Sequence, residues 1–273
     1  FAEVRTTEEI RSTLRTSAAE ARLNHSVSLC GALDLPECDL PIHPYALGAW
    51  LGDGSESGAI LTTADPEIVM YLEGLGLLVT CPDCGSPSSG GRRCAGCHAH
   101  HGTFQARLRT LGVLGNKHIP PQYLRASVDQ RRELLAGLLD TDGTVASSGV
   151  VQFTSTSERL ADDVRELIVS LGYRCSVMRK NVRGSRPERC TAYTINVTTS
   201  DEVFRLPRKQ VLHKERCTRT FKRRNSRFIT DVRSVPSVPV RCIEVEAADH
   251  LYLARSSMIP THNSTLGLDI ARN

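Results

Sequence analysis

The clearest pattern along the chain lies at residues 155–172. Leu160, Val164, Leu167, Ile168 and Leu171 recur at helical spacing and fall on one face. Ser155-x-x-Glu158 ahead of them reads as a capping box, and Gly172 stops the helix. Just upstream, Val150-Val-Gln-Phe-Thr154 reads as a strand. Downstream, Cys175-Ser-Val177-Met-Arg179 and Ala192-Tyr-Thr-Ile195-Asn-Val197 alternate, which predicts two more strands. A similar order begins earlier. Ile60-Leu-Thr-Thr63 predicts a short strand, and Asp65-Pro-Glu67 opens a helix ending near Gly76. Thr6-Thr-Glu-Glu9 starts a short helix near the beginning. No apolar run approaches the roughly 18–20 residues needed to span a bilayer.

The two sets are copies of one pattern. Residues 46–54 read Ala-Leu-Gly-Ala-Trp-Leu-Gly-Asp-Gly, and residues 135–143 read Leu-Ala-Gly-Leu-Leu-Asp-Thr-Asp-Gly. Aligning Gly48 with Gly137 puts Asp53 on Asp142 and Gly54 on Gly143. Each half reads roughly helix–strand–strand–helix–strand, and two such halves make a pseudo-symmetric α/β unit.

Each motif is an apolar helical stretch with small residues, Gly48 and Ala49 in one and Ala136 and Gly137 in the other. Small residues let two helices approach closely. If the helices pack side by side, Asp53 and Asp142 emerge together at one end. Two close carboxylates repel each other, which favours a divalent cation between them. Adjacent Mg²⁺ ions can activate a water and stabilise the leaving oxygen of a phosphodiester. The plainer alternative is two buried helices that happen to end in aspartate.

The paired motifs resemble those of the LAGLIDADG homing endonucleases, in the single-chain form with two motifs. The resemblance implies an α/β (α+β) fold of two αββαββα-like halves. Each half carries a four-stranded saddle that lies on the major groove of double-stranded DNA. It makes Asp53 and Asp142 the acidic, Mg²⁺-binding residues and implies a monomeric nuclease. The family also carries a lysine near the end of each half. Lys117, in Asn116-Lys-His-Ile-Pro120, lies 64 residues after Asp53, and Lys209, in Leu206-Pro-Arg-Lys209, lies 67 after Asp142. Lys117 is a candidate to polarise water or a phosphate oxygen, whereas Lys209 sits in a generally basic run. The first motif departs from the pattern, with Leu51-Gly52 where the second has Asp140-Thr141.

Net charge is only +4, so its distribution matters more than its sum. Arg205, Arg208, Lys209, Lys214, Arg216, Arg219, Lys222, Arg223, Arg224 and Arg227 are set against the single acid Glu215. Such a run is either a solvated helix face or a phosphate-neutralising surface, and beside a nuclease motif the second is the better account. Arg179, Lys180, Arg183 and Arg186 surround an expected hairpin tip and are candidate base or phosphate contacts.

The chain has ten cysteines, four of them clustered as Cys81-Pro-Asp-Cys84 and Cys94-Ala-Gly-Cys97. Paired C-x-x-C knuckles suit a closed, structural Zn²⁺ site. Two disulfides or unrelated thiols are the alternatives, and His98, His100 and His101 are competing ligand candidates. The other six cysteines are scattered, a pattern that suits a reducing cytoplasm.

A second activity is written at the other end. Strand-like Val238-Pro-Val-Arg-Cys242-Ile-Glu-Val-Glu and His250-Leu-Tyr-Leu precede Met258-Ile-Pro-Thr261-His262-Asn263-Ser264. The Thr-His-Asn-Ser end resembles the C-terminal splice junction of inteins. The chemistry fits. Asn263 can cyclise onto its own carbonyl, His262 can donate a proton to the leaving amine, and Ser264 supplies an acyl-accepting hydroxyl. Cys242 together with Thr261 resembles the class 3 inteins, in which an internal cysteine attacks the upstream junction directly. The plainer alternative for Cys242 is a small buried hydrophobe. That class has a tryptophan in an earlier segment. Trp50 lies inside the nuclease motif and cannot fill that role, so the tryptophan is expected upstream of Phe1. Residues 264–273 resemble the P-loop helix of bacterial DnaB-type replicative helicases.

The expected organisation follows. Residues 1–40 are a splicing-domain remainder or linker. Residues 41–232 are the endonuclease with a zinc-binding insertion at 81–97. Residues 233–263 are the C-terminal part of a mostly β splicing (Hint) fold, and 264–273 are a host stub. The partners implied are DNA at the helicase gene lacking the insertion and the host segments in cis, in a bacterial cytoplasm. Rival readings are a decayed nuclease kept as a passenger, and a zinc-ribbon DNA-binding module without cleavage.

Overall fold

Thr6 and Glu9 form a capping box at the start of the short helix expected there. Glu9 N donates to Thr6 Oγ1 at 3.2 Å and Thr6 N donates to Glu9 Oε2 at 2.7 Å, and α1 (Thr7–Ser12) follows. The computed structural model describes residues 5–17, 20–56, 58–63, 65–77, 104–183, 189–217, 226–236, 238–239, 243, 245–254 and 256–262. The chain divides into two compact units, one of residues 1–30 with 222–273 and one of residues 31–221. β1 (Ser26–Ser28) belongs to the first.

Residues 31–42 of the second unit form no helix or strand. Polar backbone groups in such a strap need partners from elsewhere. Tyr123 Oη donates to Ile42 O at 2.7 Å and accepts from Ile42 N at 3.1 Å. Gln130 bonds both N and O of Cys38, at 3.0 and 2.6 Å. Arg131, fully buried, donates to Leu33 O, Ala126 O and Ser170 O.

The strap leads into α2 (Pro44–Asp53). His43 Nδ1 accepts from Tyr45 N at 3.3 Å, and proline suits the first helical position. Every residue from Pro44 to Leu51 is buried, so this helix is central rather than amphipathic. α3 (Pro66–Gly74) starts at Asp65, whose carboxylate accepts from Glu67 N. α4 (Phe104–Thr110) and the short α5 (Pro121–Leu124) follow. A Ser127–Gln130 capping box then opens α6 (Val128–Asp142).

Two glycines set how closely α2 and α6 pack. A Cβ on Gly48 would lie 2.2 Å from Leu134 O, and one on Gly137 would lie 2.2 Å from Tyr45 O and 2.7 Å from Ala49 N. No side chain fits at either place, so the backbones meet directly.

After α6 come β2 (Gly143–Val145), β3 (Val151–Ser155), α7 (Glu158–Ser170), β4 (Arg174–Arg183), β5 (Arg189–Thr198) and α8 (Pro207–Arg216). The strands form one antiparallel sheet in the order β2-β3-β5-β4. Val145, Val151, Phe153, Ile195 and Val197 fill its buried face, and α7 with its C-cap presents Leu160, Val164, Leu167, Ile168 and Leu171 to the same core. From α6 to α8 the order is αββαββα. The fold class is α/β, as expected. One local detail differs. The helix is capped by Ser157, not Ser155, because Ser155 is still in β3 opposite Tyr193. In the first half, Ile60–Thr63 contributes only an isolated bridge, Gly54 to Leu61. The stretch where its second hairpin is expected, within 78–103, lies outside the described residues.

In the unit of residues 1–30 and 222–273, β6 (Ser226–Phe228) runs antiparallel to β1, with Val27 opposite Arg227. β7 (Leu251–Ala254) and β8 (Ile259–His262) form the hairpin expected there, with Leu251 opposite His262. Among the described residues of this unit, Met258 is the one buried hydrophobic side chain, while Phe228, Val235, Val238, Leu251 and Leu253 are exposed. No described helix is long and apolar enough to cross a membrane.

Candidate active site

Asp53 and Asp142 are the last residues of α2 and α6, and the close packing brings both helix ends to one place. A Cβ on Gly52 would lie 2.1 Å from Thr141 Oγ1 and 3.5 Å from Asp142 Oδ2, so the chain beside Asp53 touches the other motif. Burial raises the pKa of Asp142. The neighbouring charge of Asp53 raises it further, while Lys117 and Lys209 draw it back.

Both lysines reach the same centre. Lys117 Nζ donates to Leu51 O and Gly52 O at 2.9 Å each and sits 5.4 Å from the centroid of the Trp50 ring. Lys209 Nζ donates to Leu139 O at 2.9 Å, Asp140 O at 2.7 Å, Thr141 O at 3.3 Å and Gly143 O at 2.7 Å. Each therefore caps the motif helix of its own half, placing positive charge where helix carbonyls lack partners. Burial lowers both ammonium pKa values. Asp142 and Asp53 oppose this at Lys117, and Asp140, Asp142 and Asp53 oppose it at Lys209.

Asp140 is an addition that the motif pattern did not assign. It is 2% exposed and accepts from Tyr45 Oη at 2.9 Å, Arg205 N at 3.2 Å and Leu206 N at 3.2 Å. The available signal was the departure between copies, an acid in one where Leu51 stands in the other. A cleft of about 550 Å³ beside the centre is lined by Asp53, Thr63, Asp65, Asp140, Thr141 and Arg208.

The basic residues divide by location. Arg205 lies over the rings of Tyr45 and Tyr71, at 5.0 and 4.7 Å, and pairs with Glu133 at 3.3 Å. Arg208 pairs with Asp65, and Lys214 pairs with Glu202 at 2.5 Å. Arg179 pairs with Glu158 at the start of α7, so it faces the helix side of the sheet. Lys180, the next residue, is exposed and alternates to the opposite side. That outer side carries Thr144, Gln152, Thr154, Ser176, Thr194 and Asn196 in paired register. Gln152 Nε2 donates to Asn196 Oδ1 at 2.7 Å, and the Thr154 and Thr194 hydroxyls lie 3.0 Å apart. This hydrogen-bonding face was not singled out from the sequence, although its alternation with the apolar positions was legible.

At the other expected site, Thr261 is in β8 opposite Tyr252, and its hydroxyl donates to Ile259 O at 3.0 Å. His262 ends the strand. Cys242, Asn263, Ser264, Lys222, Arg223, Arg224 and the cysteines at 81, 84, 94 and 97 lie outside the described residues, as do the side chains of Arg183 and His262.

Residues 129–209, from the start of α6 to Lys209, match the LAGLIDADG-like domain family. A solved structure from work on mesophilic variants of the homing endonuclease I-DmoI covers 64% of this chain and 93% of its own, with 10% identity and a TM-score of 0.34. Along its whole length the chain is 53% identical to a replicative DNA helicase DnaB of Mycobacterium intracellulare, and spans 44% of that protein. Over 45 residues it is 67% identical to the replicative DNA helicase DnaB of Mycobacterium leprae (strain TN), spanning 8% of it. The chain thus carries a LAGLIDADG-like domain within a DnaB-related sequence and corresponds to less than half of the longer relative.

Proposed function

We propose that residues 31–221 form a Mg²⁺-dependent, site-specific DNA endonuclease of the homing type, inserted into the splicing domain of an intein. The observation that carries this is the meeting of Asp53, Asp142, Lys117 and Lys209 at one end of two helices packed backbone to backbone. The residues suit a hard cation. Burial and the charge of Asp53 both disfavour the ionised Asp142 carboxylate, and a cation between the two would offset both. Asp53 and Asp142 would hold the ion, with water and phosphate oxygens completing its shell. Mg²⁺ there supplies charge neutralisation and an acidified water. Lys117 and Lys209 fix the helix ends that present the acids. The outer face of the sheet offers donors and acceptors to base edges in the major groove, with the exposed Lys180 available to phosphates. Both motifs are in one chain, so a monomer suffices for both strands.

The substrate is double-stranded DNA spanning the helicase P-loop coding sequence without the insertion. Purified protein with Mg²⁺ is expected to make one defined double-strand cut there. Binding without any cut would leave the decayed-nuclease reading in its place.

The unit of residues 1–30 and 222–273 supports the splicing reading because its chain is interrupted by residues 31–221 and carries a β hairpin just before Asn263. In cyclisation the Asn263 side-chain nitrogen attacks its own carbonyl carbon. The peptide bond to Ser264 breaks, and the new amine of Ser264 takes a proton. Within the longer DnaB-related chain, Asn263→Ala is expected to stop release of the segment beginning at Ser264. Release at an unchanged rate, read by mass spectrometry, would remove the assignment. Cys242 as the internal nucleophile and His262 as the proton donor complete this proposal.

For Cys81, Cys84, Cys94 and Cys97 we keep the structural Zn²⁺ proposal, on their spacing alone. Metal analysis of the purified protein should find about one zinc per chain, lost in Cys84→Ser. Zinc-free, fully active protein would end it.

A further inference from the structure

We infer that Asp140 is a positioning residue for one of the two strand-cleaving half-sites only, through a two-way latch between α6 and α8 that the other half lacks. This rests on the endonuclease reading above.

The latch has two sets of bonds running in opposite directions. The Asp140 side chain, on α6, accepts from the backbone N–H groups of Arg205 and Leu206 at the entry to α8. Leu206 is the N-cap of α8 and has no side-chain oxygen, and Pro207 after it has no N–H, so the helix start has no cap of its own. A buried carboxylate from another element instead accepts from the N–H of the N-cap residue and of the residue before it, and complements the helix dipole. Three residues into α8, Lys209 sends its ammonium back to the carbonyls of Leu139, Asp140, Thr141 and Gly143. Sliding α8 along α6 would break both sets at once. The carbonyls that Lys209 holds flank Asp142 on both sides.

Tyr45 ties this latch to the other motif. Its hydroxyl donates to Asp140 Oδ2 at 2.9 Å, and Arg205 lies over its ring. The first half is built otherwise. Leu51 stands where Asp140 would, and it is apolar and buried. Lys117 lies on a loop, not a helix, and holds two carbonyls. That loop is further held by Ile119 N donating to Asp163 of α7 at 2.9 Å and by Gly115 N donating to Glu56 O at 3.0 Å. Two half-sites supported so differently respond differently to loss of Asp140.

The test compares the full chain with Asp140→Asn, and with Tyr45→Phe as a milder variant. One assay follows each strand of the end-labelled target duplex. The other follows acetylation of Lys209 and Lys117 by mass spectrometry, without DNA. Loss of a supporting hydrogen bond of this kind costs about 10- to 100-fold in activity. One strand is expected to slow by that factor in Asp140→Asn, so that nicked duplex accumulates, while the other keeps its rate. Lys209 is expected to be acetylated several-fold faster, with Lys117 unchanged, and Tyr45→Phe to move both readouts the same way by less. Equal slowing of both strands, or no slowing, overturns the inference, as does unchanged Lys209 acetylation. If the wild-type chain cuts nothing, the endonuclease reading fails, and the acetylation ratio alone decides whether the latch exists.

Discussion

Asp142→Asn, and separately Asp53→Asn, is expected to abolish double-strand cleavage while leaving DNA binding in place. The two carboxylates end the two motif helices at their meeting point, and a cation held there would contribute several kcal/mol of charge stabilisation. Each 1.4 kcal/mol or so is tenfold in rate, so a fall of roughly 10²- to 10⁴-fold is expected. The outer face of the sheet and Lys180 are untouched, so the gel-shift affinity should hold. A folding readout separates this from simple damage. Burial and the charge of Asp53 both disfavour the ionised Asp142 carboxyl. Removing that charge should leave stability unchanged or raise it by about 0.5–2 kcal/mol. Cleavage by Asp142→Asn at the wild-type rate would remove the metal assignment. Loss of activity together with loss of fold would show that the aspartate serves packing instead.

Gly137→Ala should be among the most destabilising single-methyl changes available in this chain. The new Cβ would meet Tyr45 O at 2.2 Å and Ala49 N at 2.7 Å, both backbone atoms of a buried helix that cannot swing aside. Overpacking of this kind costs about 1–3 kcal/mol and sometimes more. The intrinsic gain of alanine over glycine in a helix is about 1 kcal/mol, too little to offset the upper part of that range. Any relaxation that does accommodate the methyl must spread the helices, which moves Asp53 away from Asp142. Activity should therefore fall even in the surviving folded fraction. Gly74→Ala is the matching control, because nothing lies within 4 Å of the Cβ it would add at the end of α3. Urea denaturation of the two variants should give shifts of opposite sign. A Gly137→Ala protein as stable as wild type would mean that the helices do not pack through their backbones.

What the sequence made legible was periodic. The stripe on α7, the alternation of β4 and β5, and the repeated Asp-Gly ends of two apolar helices all depend on spacing within one element, and each is found where that spacing puts it. What it hid depends on partners far along the chain. Asp140 takes its bonds from Tyr45 on one side and from Arg205 and Leu206 on the other, so nothing local distinguished it from an ordinary helix-end acid. Arg131 looks like a surface residue of a charged helix start, yet carbonyls of Leu33, Ala126 and Ser170 surround it. Lys209 is marked in the sequence by its distance from Asp142 within a basic run, but its hold on the carbonyls at the end of α6 depends on how α8 packs there. The capping pattern at Ser155 matched by letter, but a strand's claim on that residue moved the helix start to Ser157. Arg205 and Arg208 read as DNA contacts, and each already has an acid or an aromatic face within the protein.

The pairing of β1 with β6 bears on how such a gene can change. Ser28 sits directly opposite Ser226, one strand spacing away, roughly 5 Å. The points where the chain leaves its outer unit and returns to it are thus neighbours, although nearly two hundred residues separate them. Deleting the intervening stretch and closing the gap with a tight turn would ask nothing of that unit's own strands. On the proposed reading of residues 31–221 as an insertion, that segment is detachable in hereditary terms. It can be acquired, eroded or lost by recombination while the frame around it keeps its form, so selection on the two parts can proceed separately.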